Sequence, residues 1–191
     1  MSTRERILDA AADILRTRGV THATTKEIAQ ATGVSEPTLY KYFGDKERLL
    51  LAVLQERLPN LSRAGVDPGT GDVEENLIEL AYAALGFYRQ SIPMLGALLA
   101  DPQRMAAHRT AMAGHGAGPD KAVTAFAAYL RAEQTLDRIA AEADPDAVAA
   151  LLVGACFHEA FLQYYTHGTE AKAVSRTTAQ ALVRAIVAPL L

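Results

Sequence analysis

The stretch TTKEIAQATGVSEPTLYKYFGDK, from Thr24 to Lys46, decides how the N-terminal part of this chain folds. Thr24 followed three residues later by Glu27 has capping-box spacing, which predicts a helix start. Ile28 and Ala29 would face inward, and the helix would stop near Gly33. Ser35 is placed to cap a second short helix, with Pro37 tolerated in its first turn. That helix runs to about Phe43. Gly44-Asp45 breaks it, and Asp45 caps a longer helix expected to reach Leu58. Two short helices joined by a tight turn at Gly33-Val34-Ser35 form the geometry that places a helix in a major groove.

At 100° per residue, Leu39 and Phe43 of the second helix point inward. Pro37, Thr38 and Lys41 face outward, with Tyr40 and Tyr42 on the flanks. That face offers a methyl, hydroxyls and an ammonium where base edges and phosphates would lie. Lys46 can reach a phosphate from the start of the next helix, whose N-terminus favours anions; Thr24 and Thr25 mark a second such N-terminus. Glu36 is discordant: it repels phosphates unless it accepts from a cytosine amino group, or it merely complements the helix dipole. Two helices of this shape can also be plain packing, but here the turn, the outward face and Lys46 agree on DNA.

Upstream, Ile7, Leu8, Ala11, Ile14 and Leu15 make one helical face between Arg4 and Arg18, and Gly19 sits where a helix cap belongs. Downstream, a loop is expected at Pro59 and over 64–71. Helices are then expected over 72–90, 93–100, from Pro102, over 120–141, 145–167 and 170–188, with 112–119 a glycine-bearing loop. No strand-like alternation occurs. The expected fold is all-α with about nine helices: an N-terminal three-helix helix-turn-helix domain, residues 1–47, and a C-terminal bundle, residues 48–191.

Composition sets the bounds. The chain has 191 residues, half of them hydrophobic and 21% charged, which suits a packed core rather than disorder. The net charge is −3. Residues 1–50 carry eight Lys/Arg against seven Asp/Glu, so a DNA contact must be local and geometric rather than a broad basic field. The start is charged and lacks the apolar core of a signal peptide, no run approaches about 18 apolar residues, and Cys156 is the single cysteine. These features predict a cytoplasmic protein with no membrane partner.

The segment from Ala23 to Leu50 resembles the DNA-binding part of TetR-family transcriptional regulators. The resemblance lies in the Thr24-Thr25 cap, Ile28-Ala29, Gly33-Val34-Ser35, Thr38-Leu39-Tyr40, Tyr42-Phe43 and Lys46-Glu47, with Ile7, Ala11, Ala12 and Gly19 before them. It covers about the first quarter of the chain. It implies a dimeric regulator, a repressor or less often an activator, released from a palindromic operator by a small ligand. The DNA-binding candidates are Thr24, Thr25, Ser35, Glu36, Pro37, Thr38, Tyr40, Lys41, Tyr42 and Lys46.

The helices 145–167 and 170–188 read as apolar on more than one face, so a second copy would have to cover them in an isologous four-helix interface. Burial within a monomer is the alternative. A small, largely apolar effector would bind among the later helices, with Phe87, Tyr88, Met94, Phe126, Tyr129, Phe157, His158 and Phe161 as candidate lining or as ordinary core. The histidines show no metal-ligand spacing and no catalytic motif appears, so neither cofactor, metal nor enzymatic activity is expected. Two rivals stay open: a DNA-binding adaptor controlled by protein contact without a ligand, and an all-α enzyme with a coincidental helix-turn-helix.

Overall fold

The computed structural model describes every residue except 23, 58–64, 115–117, 172 and 188–191. The expected helix end at Leu58, the loop at Pro59, His115 and the end of the last helix at Ala188 lie outside the described residues. Nine α-helices and no strand occur among the described residues. They are α1 Thr3–His22, α2 Thr25–Thr32, α3 Glu36–Phe43, α4 Lys46–Glu56, α5 Val73–Leu99, α6 Pro102–Gly114, α7 Lys121–Thr135, α8 Pro145–His167 and α9 Arg176–Val187.

The chain divides into two compact units. The first is Met1–Leu58 with Gln90–Gly118, the second Pro59–Arg89 with Pro119–Leu191. In the first, Ile7, Leu8, Ala11, Ile14 and Leu15 of α1 are buried with Ile28 and Ala29 of α2, Leu39 and Phe43 of α3, and Leu49, Leu51 and Val53 of α4. Those of α1, α2 and α3 are the inward residues that the 3.6-residue period selects, whereas Leu49 and Leu51 lie on opposite sides of α4. In the second, Leu77, Ile78, Ala81 and Leu85 of α5 share a core with Phe126 and Leu130 of α7, Leu152 and Cys156 of α8, and Ala179 and Val183 of α9.

Several boundaries differ from expectation. α1 continues through Gly19 to His22, because glycine accepts helical dihedrals at a cost of only about 1 kcal/mol relative to alanine. The two helices expected over 72–90 and 93–100 are one, with Pro93 inside it. Burial of Ile92 and Met94 on either side of the proline offsets the hydrogen bond it removes. α7 stops at Thr135 rather than Ala141. Asp137 turns the chain with a φ of 54°, and the Gln134 amide donates to the carbonyls of Ala140, Ala141 and Ala143. A 3-10 turn, Gly168–Glu170, precedes α9, which begins at Arg176 rather than near Glu170.

A buried charge pins the start of the second unit. Glu133 is fully buried; its Oε1 accepts from the Gly69 N–H at 3.2 Å. Arg138 Nη1 stands 3.2 Å from Oε2, and Arg138 also donates to the Gly71 carbonyl. Gly69 has a φ of 81°, a conformation that favours glycine; a Cβ there would meet only the tip of the exposed Leu136 side chain, which can move aside. The nearby Tyr129 hydroxyl is raised, first by burial and then by Glu133.

Candidate nucleic-acid interface

Local chemistry sets the two helices of the motif. The Thr24 hydroxyl accepts from the Glu27 N–H at 3.1 Å and the Glu27 carboxylate reaches back to the Thr24 N–H, completing the capping box. Gly33 closes α2 with a left-handed φ of 68°, its N–H donating to Gln30 and that of Val34 to Ala29. The Ser35 hydroxyl accepts from the Thr38 N–H at 3.3 Å and lies 2.8 Å from the Thr38 hydroxyl. Asp45 caps α4 through the Arg48 N–H at 2.7 Å. Three side-chain caps in 22 residues leave little freedom in the turn.

Leu39 and Phe43 are buried, which turns the opposite side of α3 outward. Pro37 and Lys41 are exposed there, Thr38 is half-buried, and Tyr40 and Tyr42 are 42% and 45% exposed. Lys46 is half-buried in the first turn of α4. Thr24 and Ser35 act as caps while remaining exposed. Glu36 has a partner that its position at the start of α3 does not reveal: Oε2 accepts from the Thr25 hydroxyl at 2.7 Å. The Tyr40 hydroxyl donates to the same Thr25 oxygen at 3.3 Å. The structure therefore joins Thr25, Glu36 and Tyr40 into one chain across the two helices. Lys26, exposed in the first turn of α2 between Thr25 and Glu27, escaped the sequence reading. Its place beside the Thr24 cap was the available signal.

Ion pairs join α1 to α4, the two helices that flank the motif. Both Arg4 Nη atoms bond the Glu56 carboxylate, at 2.8 and 2.6 Å, and the guanidinium lies 5.4 Å from the Phe43 ring centroid. Arg57 donates to Asp9 at 2.6 Å. Arg6 donates to the Thr32 carbonyl at the end of α2. The C-terminal end of α4 is thus tied to α1 twice.

The candidate pocket residues fall into separate places. Phe126 and Tyr129 are buried in the second unit's core, and Met94 is buried in the first unit. Phe87, Tyr88 and Phe157 form an aromatic group, with Tyr88 edge-on to both neighbours at 5.4 Å between centroids. Burial pushes the Tyr88 hydroxyl up to about 12, with a smaller contribution from Cys156. His158 and Phe161 lie on the exposed side of α8. Among the described residues no three His, Cys, Asp or Glu side chains converge as a metal site.

That side of α8 is an uncovered apolar stripe among the described residues. Leu151, Phe157, Phe161, Leu162 and Tyr165 are all exposed, and with Gly154 and His158 they fall within an arc of about 140° at 100° per residue. α8 is long and apolar enough by length and composition to cross a membrane, yet its other side, with Val148, Leu152 and Cys156, is packed in the core. α9 is less apolar outside than the sequence suggested. Leu182, Val183 and Ile186 pack inward, leaving Thr177, Ala181, Arg184 and Ala185 exposed.

A family profile described as "Bacterial regulatory proteins, tetR family" matches residues 7–53, the span from α1 to α4. The chain is 35% identical over 83 residues to the HTH-type transcriptional regulator YvkB of Bacillus subtilis, covering 44% of this chain and 43% of that protein. It is 38% identical over 85 residues to the transcriptional activator FasR of Mycolicibacterium smegmatis, covering 44% and 38%. It is 29% identical over 79 residues to the transcriptional repressor AcnR of Corynebacterium efficiens, covering 41% and 42%. The matches thus span about two fifths of the length of these relatives. Solved structures extend the likeness in fold to nearly the whole chain. GusR of Salmonella enterica superposes with a TM-score of 0.71 at 21% identity, covering 98% of this chain and 95% of that one. FadR of Bacillus subtilis, in complex with stearoyl-CoA, gives 0.68 at 14% identity, covering 98% and 99%. Residues 7–53 thus carry the helix-turn-helix segment of the TetR family of bacterial regulatory proteins, within an all-helical fold like that of these solved structures.

Proposed function

We propose that the protein is a transcriptional regulator that binds a palindromic DNA operator as a homodimer and is released by a small, largely apolar effector. The carrying observation is α3: an outward face of Pro37, Thr38, Tyr40 and Lys41 on a helix fixed by Leu39, Phe43 and the Ser35 cap. Such a helix enters a major groove with its N-terminal residues toward base edges. Thr25, Tyr42 and Lys46 flank it as phosphate contacts, and two helix N-termini add N–H groups. One short helix reads few bases, so a two-fold pair supplies the specificity.

The dimer forms through α8 with support from α9. The exposed stripe on α8 is what a self-complementary interface would cover. The effector binds in the second unit beside Phe87, Tyr88 and Phe157, where Phe126 and Tyr129 back the site. The acyl-CoA held by FadR, a protein of like fold, is consistent with an apolar ligand. Residues 1–47 then read DNA, residues 48–191 hold ligand and partner, and the protein works in the cytoplasm as a repressor. The effector shifts the balance only by its differential affinity for the two arrangements.

The test is selection of binding sites from a random duplex library, followed by titration across salt. A palindromic site is expected. Lys46→Ala should weaken binding to all sequences and lower the salt slope by about one. An unchanged slope removes Lys46 from the phosphate contacts, and the absence of any enriched site defeats the regulator reading.

A further inference from the structure

The chain Tyr40–Thr25–Glu36 fixes the direction of two protons. A carboxylate only accepts hydrogen bonds, and each hydroxyl has a single proton to give. The Thr25 proton is therefore committed to Glu36 Oε2 at 2.7 Å. Its oxygen can then only accept, and it accepts the Tyr40 proton at 3.3 Å. Both protons run inward, toward Glu36. A phosphate oxygen is likewise only an acceptor. While the chain is intact, neither hydroxyl has a proton to offer it.

We propose that Glu36 is a specificity-determining residue that restrains binding to DNA of arbitrary sequence by holding the Thr25 and Tyr40 protons away from phosphates. It rests on the DNA-binding reading above. Glu36 acts here as a positioning residue, through two neighbours rather than through its charge alone. Gripping a phosphate with Thr25 requires that its proton leave the carboxylate. That loss is repaid where a base amino group faces Glu36, whose Oε1 accepts no hydrogen bond among the described residues. Elsewhere along a duplex it is not repaid, and binding is weaker.

The experiment is a double-mutant cycle with the full-length protein, using Glu36→Gln and Thr25→Val. Both changes keep side-chain shape, and neither touches the Thr24 or Ser35 cap. The probe is a labelled random-sequence duplex, and fluorescence anisotropy at one fixed salt concentration reads its affinity. The glutamine amide can donate to Thr25 and free its proton, so Glu36→Gln should tighten binding about tenfold in the parent. In the Thr25→Val background the same change should gain only about twofold, the part due to removed charge. Equal gains in both backgrounds overturn the inference, since Glu36 then acts by charge alone. So does a Glu36→Gln protein that binds no tighter than the parent. Those two results leave the DNA-binding reading standing. A parent protein that binds no duplex even at low salt removes both.

Discussion

Leu151→Ala tests the dimer most directly. Leu151 is 63% exposed in the protomer, and its neighbours Leu152 and Val153 carry the packing into the core, so truncation should leave the fold intact. Fully burying a leucine contributes about 1.5–3 kcal/mol. If a partner covers the exposed share, losing all but the Cβ removes about 1–1.5 kcal/mol per copy. An isologous interface contains the residue twice, so the dimer loses about 2–3 kcal/mol. Its dissociation constant should rise about 30- to 150-fold. Sedimentation equilibrium over a dilution series reads this quantity. Operator affinity should fall at protein concentrations below the new dissociation constant and recover above it. A variant that dissociates at the same concentration as the parent refutes the assignment of this face.

Other outcomes follow from the second unit. Arg138→Ala leaves the buried Glu133 carboxylate facing no cation. Arg138 is partly exposed, so the loss should be about 2–3 kcal/mol, a fall in melting temperature of about 5–10 °C. The double variant with Glu133→Gln should melt higher than Arg138→Ala alone, and equal melting would show that the charge is not what destabilises. Cys156 is buried beside the Ala81 carbonyl, and burial pushes its thiol up to about 12. An ordinary thiol ionises near 8.5, so the native protein should react with a disulfide reagent at pH 8 orders of magnitude more slowly than the unfolded chain. The sign for stability is a loss with rising pH between about 8.5 and about 12, where only the unfolded chain sheds the proton. Comparable reaction rates before and after denaturation would contradict that burial.

The helix starts were legible where a side chain within three residues decides them. Thr24, Ser35 and Asp45 each cap the helix that their spacing announces. The ends were less so. Whether α5 passes through Pro93 depends on apolar burial to either side, and whether α7 stops at Thr135 depends on Gln134 catching carbonyls up to nine residues away. Within the site, the outward face of α3 followed from angular position alone. The hydrogen bond to Glu36 did not, because its partner Thr25 lies 11 residues earlier and meets it only when the turn closes. The pocket candidates were hardest to read. Aromatic type does not distinguish Phe126, fully buried, from Phe161, which faces outward.

The two arginine clamps, Arg4 on Glu56 and Arg57 on Asp9, bear on how any salt titration of this protein is interpreted. Both pairs are partly open to water, so added ions screen them as well as the phosphates. Raising the ionic strength then loosens the reading head's own frame while it competes for the duplex. The raw slope of affinity against salt therefore combines two sources and exceeds the count of displaced counterions. The difference between parent and Lys46→Ala cancels the shared part, and it is this difference that counts phosphates.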